Sequence, residues 1–94
     1  MFLVMINYKK PIERVDQFVG LHREYLNQHY ENNSFIVSGP RNPRIGGVML
    51  SHLKNKEDLM KIIYNDPYFI NDVADYEVIE FNPVKYHADF AKFL

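Results

Sequence analysis

Histidine is the one side chain whose unperturbed pKa, about 6.5, lets it take and return a proton near neutral pH. His22 sits among Phe18, Val19, Tyr25 and Leu26 at three- and four-residue spacing, so its imidazole rides on an apolar stripe and is aimed at a core. It reads either as a proton-transfer group or as a core histidine satisfied by one backbone carbonyl. Asp66, directly before Pro67, also has two readings. One is a helix N-cap with proline at the first helical position; the other is a carboxylate that fixes an imidazole tautomer and raises its basicity. The roles are compatible if one oxygen caps and the other faces His22. Between the two lies Ser38-Gly39-Pro40, where a glycine lets a ligand approach the backbone closely. Ser38 lacks the Gly-x-Ser-x-Gly spacing of a hydrolase nucleophile and reads as a hydrogen-bond donor. Arg41 and Arg44 follow, either gathering an anionic substrate or standing as solvated loop charges.

Other chemistries are disfavoured. His22, His29, His52 and His87 show no paired metal-ligand spacing, so no metal site is expected. Gly46-Gly47 lacks any phosphate-loop pattern and reads as turn chemistry; no cofactor is expected. The absence of cysteine excludes disulfides, thiolate catalysis and Cys-based zinc sites. A net charge of −1 argues against nucleic acid as a partner, since phosphate binding needs a basic face. The longest apolar run, Met1 to Ile6, is too short for a signal peptide or a membrane span, so the expected location is the cytoplasm.

These groups need elements to position them. A chain of 94 residues suits a single domain over 1–94, and 47% hydrophobic residues with seven Tyr and seven Phe give it material for a core. Phe2 to Tyr8 is an apolar run too short for a helix, predicting a central strand. After Lys9-Lys10-Pro11, the stripe Ile12, Val15, Phe18, Val19, His22, Tyr25, Leu26 and His29 predicts one amphipathic helix, with Asn32-Asn33 able to take the left-handed conformation that ends it. Ser34 to Ser38 is the second strand, stopped by Gly39-Pro40, and Val48 to Leu53 is the third. Asn55 caps a helix that carries Leu59, Ile62 and Ile63 and ends by about Asn65. A short helical turn follows over Tyr68 to Asp72, and Val73 to Phe81 is the last strand. The order strand, helix, strand, strand, helix, strand predicts an α+β, ferredoxin-like fold: a four-stranded antiparallel sheet with two helices on one face. The other face is left uncovered. A second copy would cover it, so a homodimer is expected, with the apolar tail 86–94 packing at its interface.

With His22, Ser38-Gly39-Pro40, Gly46-Gly47 and Asp66-Pro67-Tyr68 in this order, and Tyr76-Glu77-Val78 before Phe81-Asn82-Pro83, the sequence resembles the YCII-related (YciI-like) family. The resemblance runs to about Val84. It implies a dimeric α/β barrel with an active site holding the histidine and aspartate, and it adds Tyr68 to the substrate-binding residues. Two departures stand out. Many members carry arginine where this chain has Val19, and the usual glycine after the first helix is replaced around Asn32-Asn33. The leading expectation is a lyase or isomerase of a small, anionic organic substrate, with His22 moving a proton, Asp66 orienting it, and Ser38, Gly39, Pro40, Arg41, Arg44 and Tyr68 holding the substrate. The rival is a non-catalytic ligand-binding or dimerisation module in which His22 and Asp66 are structural.

Overall fold

The computed structural model describes residues 1–94. Its elements are β1 (Phe2–Tyr8), α1 (Ile12–Asp16), α2 (Val19–Glu31), β2 (Phe35–Pro40), β3 (Gly46–Ser51), α3 (Lys56–Tyr64), α4 (Pro67–Ile70), β4 (Ala74–Glu80) and a terminal 3-10 helix (Ala88–Phe93). The strands form one antiparallel sheet in the order β2-β3-β1-β4, with the apolar run of β1 in its interior. This is the ferredoxin-like α+β arrangement, with the helices on one face.

Strand alternation sends Phe2, Val4 and Ile6 of β1 toward the helices, where they are at most 2% exposed. Val15, Leu26, Leu59 and Ile63 meet them from the helical layer. Each such side chain taken from water contributes about 1.5–3 kcal/mol, so this layer contact is what holds the helices to the sheet. The Tyr25 hydroxyl donates to the Ile62 carbonyl at 2.7 Å, tying α2 to α3.

The stripe from Ile12 to His29 is not one helix. Gln17 and Phe18 close tight bonds to the carbonyls of Arg14 and Val15, ending α1, and the Phe18 carbonyl accepts from His22 N–H to start α2. Phe18, at φ −115° and ψ 0°, departs from ideal helical dihedrals and separates the two helices. A one-turn interruption preserves three-residue spacing, which is why the sequence pattern runs through it. Asn33, at φ 64°, supplies the left-handed residue expected after the helix.

The strand ends also shift. Pro40 continues β2 rather than stopping it and pairs with Gly47. An edge strand tolerates proline because one side of it has no ladder to complete. Gly46 and Gly47 belong to β3, where Gly46 is so close to β1 that a Cβ would stand 1.9 Å from the Ile6 carbonyl oxygen. At the other end, Ser51 Oγ donates to the Ser34 carbonyl and accepts from Leu53 N–H, drawing the chain off the ladder before Leu53. The short turn expected over Tyr68 to Asp72 is α4, and β4 is one residue shorter at each end than the sequence suggested.

Candidate active site

α2 and the α3–α4 junction bring the central pair together. His22 lies near the start of α2 on its sheet-facing side and is 8% exposed; Asp66 is 1% exposed. Pro67 makes the backbone at Asp66 extended (φ −69°, ψ 132°), which turns the carboxylate back over the first turn of α4. Asp66 Oδ1 accepts from Tyr68 N–H at 2.9 Å and stands 2.8 Å from His22 Nδ1, with Oδ2 3.0 Å from the same nitrogen. Oδ1 thus both caps and orients, and Oδ2 shares the contact with the ring. Because a carboxylate only accepts, Nδ1 is the protonated nitrogen of the neutral ring and Nε2 carries the lone pair. The Tyr68 ring lies parallel on the imidazole, centroids 3.9 Å apart at 7°, and stops it from tilting.

His22 and Tyr68 form part of the wall of a cavity of about 170 Å³. Ser38, Gly39, Pro40 and Arg44 line it, as the sequence suggested. Gly39 pairs with Val48, so the open space that a Cβ there would meet lies on the sheet face away from the helices. Ser38 Oγ accepts from the Tyr30 hydroxyl, which leaves its own proton free to donate. Arg44 reaches the wall from the β2–β3 loop and pairs with Asp16 of α1 at 2.6 Å, the bond that chiefly raises its already high pKa. Arg41 is placed elsewhere: its guanidinium donates to Asn7 Oδ1 at 3.2 Å, and strand alternation turns Asn7 to the sheet face away from the helices.

Two polar lining residues were not anticipated, Tyr8 and Arg23. Tyr8 ends β1 on the same face as Ile6, so alternation counted from the buried end of the strand is the signal that finds it. Its ring lies edge-on to Tyr68 at 6.0 Å and under Arg44 at 5.7 Å. Arg23 has no such signal beyond being next to His22. Burial is the main cause that raises the Tyr68 phenol, with Tyr8 adding to it, so Tyr68 stays a neutral donor at physiological pH. No group of three or more His, Asp or Glu side chains gathers closely enough to hold a metal. No helix is long and apolar enough to cross a membrane.

The model of the YCII-related domain matches residues 1–82. The chain belongs to the YCII-related family. The matched part of this YCII-related chain holds the whole His22–Asp66 site and leaves out the tail that carries Phe90, Phe93 and Leu94. Its fold is similar to that of 5-chloro-2-hydroxyhydroquinone dehydrochlorinase (TftG) from Burkholderia phenoliruptrix AC1100, solved in complex with 2,5-dihydroxybenzoquinone. The TM-score is 0.70 at 14% identity, over 87% of this chain and 94% of that one. No curated protein matches the chain in sequence.

Proposed function

We propose that this YCII-related protein is a small-molecule enzyme of the lyase or isomerase kind, in which His22 Nε2 removes a proton next to a carbonyl or a leaving group. The observation that carries this reading is the buried 2.8 Å contact between His22 Nδ1 and Asp66 at the wall of a cavity. Asp66 holds the ring so that Nε2 is the nitrogen left for a substrate, and it stabilises the imidazolium that proton removal creates. A positioned base of this kind contributes about 10²- to 10⁴-fold, which suits a substrate whose C–H bond is already activated. The cavity volume of about 170 Å³ is close to the roughly 150 Å³ that admits a benzene ring, so one small ring or a short acid fits. Ser38, Tyr8, Arg23 and Arg44 offer donors for its oxygens. Removal of HCl from a hydroxylated ring, the reaction for which the dehydrochlorinase is named, is chemistry of this class.

Two copies would complete the molecule as a dimeric barrel. Leu3, Val37, Val48, Leu50 and Ile79 occupy the sheet face opposite the helices, with Val37 56% and Ile79 43% exposed. A second copy of this face covers them. A titration with 2,5-dihydroxybenzoquinone, followed by its visible absorption, tests the pocket. Wild type should bind it saturably and His22→Asn at least tenfold more weakly; equal binding by both would remove His22 from the site.

A further inference from the structure

The hydroxyl of the half-buried Tyr76 is a group that this proton transfer leaves unused. In the β4 register Tyr76 stands opposite Ile6, so its ring points into the layer between sheet and helices, 6.1 Å from Phe69. Its hydroxyl is shut off from solvent and has no hydrogen-bond partner, alone among the buried side-chain nitrogen and oxygen atoms of the chain. A hydroxyl in that position has given up water without a replacement, which folded proteins rarely tolerate. Burial above all holds the phenol proton on its oxygen, and the neighbouring Asp66 carboxylate adds to this. Asp66 has room for another donor. Oδ1 already serves His22 and Tyr68 N–H, whereas Oδ2 has no hydrogen bond but the longer one to His22 at 3.0 Å.

We infer that Tyr76 is the third member of the His22–Asp66 pair, a positioning residue whose hydroxyl donates to Asp66 Oδ2 when His22 carries the substrate's proton. The inference rests on the proton-transfer reading of the site. Once the ring is an imidazolium, the carboxylate competes for its proton. A donor at Oδ2 lowers the basicity of the carboxylate, so the Nδ1 proton stays on the ring and the imidazolium remains acidic enough at Nε2 to return the substrate's proton. The same bond keeps the carboxylate from rotating off Tyr68 N–H and so keeps Nε2 toward the cavity. The other titratable groups facing the pair are Tyr25 and His29 from α2, Tyr68 from α4, and Tyr8, Arg23 and Arg44 at the cavity wall.

The test is the titration of the His22 ring nitrogens by NMR in the ligand-free protein, wild type against Tyr76→Phe. A carboxylate with one donor fewer holds the imidazolium more tightly, so the His22 midpoint should rise by about half a pH unit while those of His52 and His87 stay in place. Site-specific 3-fluorotyrosine at position 76, a stronger donor, should move it the other way, and this variant decides the matter if Tyr76→Phe does not fold. An unmoved His22 midpoint, accompanied by a higher melting temperature for Tyr76→Phe, would overturn the inference and leave Tyr76 as a stranded hydroxyl. No turnover enters this measurement. A chain with no catalytic activity but a shifted His22 midpoint would therefore count against the enzyme reading alone.

Discussion

At the residue scale, Asp66 carries two jobs on one oxygen, and its removal should reveal both. Asp66→Ala loses the cap of α4, about 1 kcal/mol, and leaves a buried imidazole without its acceptor, about 1–3 kcal/mol more. A denaturation curve showing the capping loss alone would mean that the His22 contact contributes nothing to stability. His29, two turns after His22, supplies a pH dependence. Burial lowers its pKa below the ordinary 6.5, against the opposing pull of Asp66. A depressed folded-state value means that the stability it contributes is present above pH 6.5 and is lost as pH falls through the folded pKa. Urea midpoints should therefore decline from pH 6.5 downward, and His29→Gln should flatten that part of the profile. An identical slope in the variant would assign the effect to other groups.

At the scale of elements, periodicity located His22 and the strands because each buried face repeats at the period of its own structure. β1 matches its sequence boundaries because its apolar run stops at a Lys-Lys-Pro breaker, and α3 matches because Asn55 caps it by accepting from Glu57 N–H at 2.8 Å. What escaped has a physical reason. The break between α1 and α2 lies in backbone dihedrals at Phe18, and the one glycine nearby, Gly20, falls inside α2 and not at the break. The separation of Arg41 from Arg44 depends on a bulge between Phe35 and Val37, which moves Ser38 onto the helix face beside Met49 and shifts everything after it. Alternation cannot see an inserted residue. The two arginines should therefore behave differently. Arg44→Ala should weaken 2,5-dihydroxybenzoquinone severalfold while changing fold stability by less than about 1 kcal/mol, as expected for an exposed ion pair. Arg41→Ala should leave binding unchanged, and calorimetric titration of both variants checks this; a matching loss in Arg41→Ala would place both side chains at the ligand.

At the scale of the whole molecule, the uncovered sheet face and the tail make separate claims. The tail docks on its own chain through His52, whose ring lies edge-on to Phe93 at 6.0 Å while Nδ1 meets the Phe93 carbonyl at 3.1 Å. Leu94 nevertheless stays 43% exposed, leaving apolar surface at the tip of the tail. Sedimentation should give a dimer at micromolar concentration, and truncation after Val84 should weaken it; a monomer in both cases would show that neither the face nor the tail is an interface. The proposed chemistry turns on one step, transfer of a carbon-bound proton to His22. The most direct measurement is exchange of that proton for deuterium in D2O, read by NMR across a panel of small hydroxyquinones and enolisable oxo acids, with wild type and His22→Asn run side by side. Wild type should exchange at least one of them about 10²-fold or more faster than His22→Asn, the scale of a single positioned base. Exchange at the same rate in both proteins, or in neither, would contradict the assignment of His22 as that base.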